Sequence, residues 1–214
     1  MSAAVKICGL KSPEAIEAAI EGGAAYLGFN FYPKSPRSLT PEAAARLAAA
    51  VPANVAKVAL VVDAEDRLLD EIAEALSPDI FQLHGRETPE RVAGIKARNG
   101  RQVMKVVSIA TEADVAAARA YEGVADLLMF DARPPPGGLP GGNGLPFDWR
   151  LLKDARWSLP WMLAGGLTPE TVAEAIRSTG ATRVDVASGV EDRPGVKSPE
   201  KIRRFLAAAR SVRA

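Results

Sequence analysis

The chain has one cysteine and one histidine. Cys8 ends the apolar run VKIC and is followed at once by Gly9. His84 ends DIFQLH, Asp131 ends DLLMFD, and Arg37 stands in FYPKSPRS. Two glycine-bearing turns occur at Gly165-Gly166 and Ser188-Gly189. A thiol acts as nucleophile or base only as the thiolate. Carboxyl and imidazole groups move protons at working pH, and a guanidinium supplies a fixed positive charge. Glycine lets backbone N–H groups come close to a phosphate. Each residue also has an ordinary reading. A lone cysteine can be a small buried hydrophobe, Asp131 a turn former, His84 a satisfied structural group, Arg37 a solvated loop charge, and the glycines two tight turns. Where the fold places them decides between these readings.

Eight short apolar runs punctuate the sequence: residues 5–8, 26–31, 56–62, 79–84, 102–109, 126–131, 161–166 and 183–189. They are strand-length and several are rich in Val, Ile and Phe. Ala-rich segments with apolar residues at helical spacing separate them, among them PEAIEAAI, RLLDEIAEAL and PETVAEAI. Ser/Thr-Pro-Glu recurs at Ser12, Thr40, Thr88, Thr168 and Ser198. It combines a capping hydroxyl, a proline suited to the first helical position and an acid at the positive end of the dipole. Asp63 with Asp66, and Thr111 with Asp114, repeat the signal without proline.

Strands alternating with helices imply parallel βα units. Eight units in 214 residues leave about 27 residues each, which fits a single (β/α)8 TIM barrel spanning residues 1–214. An open doubly wound sheet is the competitor, but Cys8-Gly9-Leu10-Lys11 lacks the Gly-rich dinucleotide fingerprint. The Pro/Gly-rich stretch at 133–146 can be neither helix nor strand. As the alternation continues beyond it, it reads as a loop over the barrel mouth rather than a linker.

Barrel chemistry collects at the C-terminal ends of the strands. Cys8, His84 and Asp131 end strands one, four and six, Arg37 follows strand two, and the glycine turns follow strands seven and eight. Lys6, two residues before Cys8, shares its side of the strand and is placed to support a thiolate. A helix starting at Thr168 and a short extra helix near Gly189 would turn N–H groups toward a phosphate, in the position where barrels repeatedly bind one. A phosphorylated small-molecule substrate follows.

Composition narrows the class further. Lys plus Arg is 27 and Asp plus Glu is 26, so no charge excess calls for nucleic acid or an anionic membrane. One cysteine cannot form an internal disulfide. One His and one Cys build no zinc site by themselves. No signal-peptide pattern opens the chain and no apolar run approaches the roughly 20 residues of a membrane span. The expectation is a soluble cytoplasmic enzyme, monomer or homodimer.

Taken in order, KICG (6–9), GFNFYPKSPR (28–37), FQLHG (81–85), FD (130–131), GGNGLPFDW (141–149), LAGGL (163–167) and VDVASGVEDRPGVK (184–197) resemble phosphoribosylanthranilate isomerase from the first strand to the last. The resemblance implies a cofactor-free barrel of tryptophan biosynthesis. It implies an Amadori rearrangement of N-(5′-phosphoribosyl)anthranilate to the 1-deoxyribulose isomer. By the same resemblance Cys8 is the general base, Asp131 the general acid, and Arg37 the contact for the anthranilate carboxylate. The turns at Gly165, Gly166, Ser188 and Gly189 bind phosphate, and His84 and Asp185 lie near the substrate. Asn143 and Ala187 depart from the Ser/Thr and Ser more usual there. Two alternatives remain at this point: a related sugar-phosphate barrel of the indole-glycerol-phosphate synthase kind, and a non-catalytic binder of a phosphorylated ligand.

Overall fold

In the computed structural model of the chain, residues 2–135, 137–138, 141–142, 144, 146–153 and 155–212 are described. Eight parallel strands close into a barrel: β1 (Ala4–Cys8), β2 (Tyr26–Asn30), β3 (Ala56–Val61), β4 (Ile80–Leu83), β5 (Gln102–Ile109), β6 (Leu127–Ala132), β7 (Trp161–Leu163) and β8 (Arg183–Val186). Closure pairs β1 with β8, with Lys6 opposite Asp185 and Ile7 opposite Val186. It excludes the open doubly wound sheet. The expected strands all form, although β7 and β8 stop three residues short of the expected ends: Gly165 and Gly166 turn the chain after β7, and a 3-10 turn at Ser188–Val190 takes over after β8.

Alternation sorts the side chains into two cores. Val58, Ile80, Met104, Val106, Leu127, Met129, Met162 and Ala164 fill the barrel. The other set, with Phe29, Phe81, Phe130 and Leu163, packs outward against the helices. Phe130 stacks on Trp157 and Trp161, with ring centroids 4.8 and 5.7 Å away. This contact holds the end of β6, and so the backbone of Asp131, from behind.

The outer layer is α1 (Pro13–Glu21), α2 (Pro41–Ala48), α3 (Asp66–Leu76), α4 (Pro89–Asn99), α5 (Glu112–Ala117), α6 (Val172–Thr179) and α7 (Pro199–Ser211). Among the described residues no α-helix joins β6 to β7. The segment there is irregular apart from a 3-10 turn at Trp149–Leu152, so the loop reading holds for its described part, while Asn143 lies outside the described residues. The hydroxyls of Ser12, Thr40, Thr88 and Ser198 accept from the backbone N–H of the third residue of their helices, as expected. The Asp114 carboxylate accepts from the Thr111 N–H at 2.8 Å.

Two expected caps depart from the pattern: the Thr168 hydroxyl accepts from the Glu170 N–H at 3.2 Å but does not open a helix, and the Asp63 cap fails. Helix α6 starts at Val172 rather than Thr168, because the Thr168 carbonyl first closes a tight turn by accepting from both Thr171 and Val172. Asp63 caps nothing: at φ 45° its Oδ1 accepts from the Arg86 N–H after β4 instead. The extra helix expected near Gly189 is a 3-10 turn at Ser188–Val190, and it runs into a hairpin of β9 (Glu191–Arg193) and β10 (Val196–Lys197). Pro194-Gly195 marks its turn, but the strands on either side are too short to be read from the residue pattern.

Candidate active site

The C-terminal ends of the strands surround two adjoining cavities of about 420 and 460 Å³. Gly165, Gly166 and Ser188 line the first; Cys8, Arg37 and His84 line the second; Asp131 and Asp185 face both. Gly189 follows Ser188 within the same 3-10 turn. The rim expected from the sequence therefore forms. A larger open groove of about 1290 Å³ lies between α1 and α2, away from these groups, so volume alone does not mark the site.

Cys8 is buried, 3% exposed. Gly9 follows it for a geometric reason: φ is +77°, and a Cβ there would stand 2.5 Å from Cδ of Arg37. The glycine lets Arg37 lie directly across the end of β1. Lys6 does share the side of Cys8, but its Nζ donates to Asp185 Oδ1 at 2.8 Å, across the β1–β8 register. Burial pushes the Cys8 thiol above its ordinary value, Lys6 opposes this, and Asp185 adds to it. Lys6 therefore favours the thiolate, as expected, but does not outweigh burial. Desolvation wins, because the ammonium is shared with a carboxylate. Burial works against the charged form of Lys6 as well, but Asp185 and Cys8 outweigh it and raise its pKa.

Arg37 is no solvated loop charge. It is 5% exposed, and its Nε and Nη2 donate to the two oxygens of Glu191 at 2.7 and 2.8 Å. Nη2 also donates to the Gly142 carbonyl at 3.3 Å, which brings the loop after β6 over the guanidinium. Glu191 Oε1 accepts from Lys197 Nζ at 2.6 Å as well. Burial would raise the Glu191 carboxyl, but Arg37 and Lys197 outweigh it and hold it low. Lys197 goes the other way, lowered because burial exceeds the pull of Glu191.

Asp131 accepts from the Ala132 N–H through Oδ1 at 2.8 Å. Its Oδ2 lies 3.3 Å from His84 Nε2, but no aligned hydrogen bond joins them. His84 Nδ1 faces Gln82 Nε2 at 3.3 Å. Gln82, Glu191 and Lys197 were not singled out by the sequence reading. Gln82 carried a signal: it shares the side of His84 by strand alternation and is polar in a four-residue strand whose every residue is buried. Glu191 and Lys197 become partners only once the β9–β10 hairpin forms.

Beneath the His84 turn sits a buried ion pair. Lys105 Nζ meets Glu87 Oε2 at 2.6 Å and the Gly85 carbonyl at 2.8 Å. Glu87 also accepts from the N–H groups of Asp63 and Gly85. It ties the loops after β3 and β4 to β5, and so fixes the backbone from which His84 projects. Among the described residues no cluster of three or more His, Cys, Asp or Glu could hold a metal, and no helix is long and apolar enough to cross a membrane.

Comparison with known proteins places this geometry in a family. Residues 5–208 match the family model for N-(5′-phosphoribosyl)anthranilate (PRA) isomerase. The N-(5′-phosphoribosyl)anthranilate isomerase of Parvibaculum lavamentivorans is 57% identical over 213 residues, covering 98% of this chain and 99% of the relative. The crystal structure of phosphoribosyl anthranilate isomerase from Thermotoga maritima superposes with a TM-score of 0.89 at 34% identity, over 98% of this chain and all of that one. A phosphoribosyl anthranilate isomerase solved in complex with reduced 1-(o-carboxyphenylamino)-1-deoxyribulose 5-phosphate gives 0.84 at 33% identity, with the same coverage. On these matches the chain belongs to the phosphoribosylanthranilate isomerase family.

Proposed function

We propose that this barrel isomerises N-(5′-phosphoribosyl)anthranilate with Cys8 as general base and Asp131 as general acid. The observation that carries the reading is the convergence of Cys8, Asp131 and Arg37 with both glycine turns on one pair of adjoining cavities. The family match selects the isomerase over the synthase-like and non-catalytic alternatives.

Asp131 gives its proton to the furanose ring oxygen as the C1′–O bond breaks. The anthranilate nitrogen lone pair forms the C=N bond and leaves an iminium. Cys8, as thiolate, removes the C2′ proton, and the C–H electrons form an enolamine that tautomerises to the 2′-ketone. One carbon is oxidised and its neighbour reduced, which makes the enzyme an intramolecular oxidoreductase of the aldose–ketose type. The substrate nitrogen is the electron sink, so the chemistry calls for no metal or organic cofactor.

Arg37 offers Nη1 to the anthranilate carboxylate, since Nε and Nη2 are committed to Glu191. Gly165 and Gly166, at φ 86° and 64°, face the Ser188-Gly189 turn and present backbone to the phosphate. His84 and Asp185 bound the space for the ribose. The single barrel acts as one catalytic domain in the cytoplasm.

The test is the loss of anthranilate-type fluorescence when purified protein meets the substrate. Cys8→Ala and Asp131→Asn each abolish turnover while leaving the melting temperature near wild type. A Cys8→Ala protein that turns over normally refutes the base assignment.

A further inference from the structure

We propose that Gln82 is a positioning residue: it fixes the tautomer of His84 and thereby reserves the Asp131 proton for the substrate. This rests on the reading of Asp131 as the acid.

Gln82 points into the barrel from β4 and is 1% exposed. Its Nε2 reaches His84 Nδ1 at 3.3 Å and Met129 Sδ at 3.6 Å, while its Oε1 has no partner among the described residues. Turning the amide over would set Oε1 against the thioether, which cannot donate, and would take Nε2 away from both Nδ1 and Sδ. The orientation in the structure gives the amide nitrogen two acceptors and leaves only Oε1 without a partner among the described residues. An amide NH2 can only donate, so Nδ1 must accept. The proton of the neutral imidazole is then on Nε2.

That proton faces Asp131 Oδ2, 3.3 Å away and off the line of a good hydrogen bond. Catalytic hydrogen bonds in unliganded sites are often long and tighten with substrate. The chemical consequence follows from direction alone. With Nε2 protonated, His84 donates to Asp131 as Ala132 does to Oδ1, so neither neighbour can accept the carboxyl proton. The acid must give it to the furanose oxygen, and the carboxylate left behind finds two fixed donors, which favours the state with developed charge. In the other tautomer Nε2 would accept that proton and turn it away from the substrate.

His84 is the only histidine in the chain, so nitrogen-15 NMR of the labelled protein reads its tautomer without assignment. Wild type should show Nδ1 unprotonated and Nε2 protonated. Gln82→Leu should lose this bias and lower kcat about tenfold, a part of the roughly 100- to 10,000-fold that an acid–base group contributes, with KM little changed. Gln82→Glu, of the same shape, accepts from Nδ1–H; it should invert the tautomer and lower kcat further. A wild-type spectrum with Nδ1 protonated overturns the proposal. So does a Gln82→Leu protein that loses kcat with the tautomer unchanged, or an inverted Gln82→Glu protein with normal kcat. The spectra need no substrate, so a failed acid assignment, seen as an active Asp131→Asn, is told apart from a failed tautomer assignment.

Discussion

Replacing Gly189 with alanine probes the phosphate turn with a single carbon atom. A Cβ at 189 would stand 2.0 Å from the Leu167 carbonyl oxygen and 3.2 Å from the Thr168 Cα. Ordinary contact begins at 3.4 Å, so the first contact is short by about 1.4 Å. Both atoms belong to backbone, so no side chain can swing away to relieve the clash. The turn after β8 and the turn after β7 must separate by about that distance, and together they hold the phosphate in the reading above. A misplacement of about 1 Å in a positioning element can cost about 100-fold in rate. Cys8 and Asp131 sit on β1 and β6, whose strand pairing does not involve residue 189. The loss should therefore fall mainly on KM, with kcat/KM down about 100-fold. Steady-state kinetics by the fluorescence assay, with inorganic phosphate as a competitive probe, measures both. A Gly189→Ala enzyme with wild-type KM and phosphate inhibition would refute the placement of the phosphate between these turns.

The remaining expectations are shorter. Gly94→Ala is the matching control: Gly94 lies in α4 with nothing within 4 Å of its added Cβ, so it should leave kinetics alone and stabilise the fold by about 0.5–1 kcal/mol in chemical denaturation. Lys105→Met strands the buried Glu87 and should cost roughly 3–5 kcal/mol in the same measurement. The Cys8 thiol is raised by burial, so alkylation by iodoacetamide should titrate above the ordinary value of about 8.5. The sign for stability follows: the folded state keeps the proton longer than the unfolded one, so this contribution is whole below about 8.5 and is lost as pH rises through the folded value. Glu191 is depressed, so its contribution is present above about 4.3 and lost as pH falls through its folded value. Glu191→Gln should flatten that acid-side loss in melting curves and raise KM by loosening Arg37.

The barrel was legible because its signals are local and repeated. Eight runs of strand length and a recurring Ser/Thr-Pro-Glu cap are properties of single segments, and four of the five such caps form as written. Thr168 and Asp63 show the limit: each has the composition of a cap, but Thr168 caps a tighter local turn and tertiary geometry engages Asp63 with the neighbouring loop. At the site, residue types and strand positions were enough to gather Cys8, Asp131, His84 and Arg37 at one rim. What could not be read was pairing. Lys6 with Asp185 lies 179 residues apart in sequence, and Arg37 with Glu191 lies 154 apart. Both depend on barrel closure, which brings β8 and the segment after it beside β1.

Those pairings explain why a chain of nearly balanced charge can serve an anionic substrate. Each cation around the cavities already has an anion from its own chain: Lys6 has Asp185, Arg37 and Lys197 share Glu191, and Arg133 has Asp114. Every anion in this set except Asp114 comes from β8 or the hairpin that follows it. A site so neutralised has little free cation to offer a phosphate, and the turns that face the first cavity offer glycine backbone instead. Backbone N–H groups bind a phosphate without bringing in a counter-charge that would alter the acid and the base nearby. The same economy explains the raised thiol. Burial raises the Cys8 thiol first, Lys6 pulls the other way, and Asp185, which pairs with that ammonium, adds to the rise. In the proposed reaction the next positive charge to form is the iminium, on the carbon next to the one Cys8 must deprotonate. On this reading the base gains its driving force only after Asp131 has acted, and ring opening comes before proton abstraction.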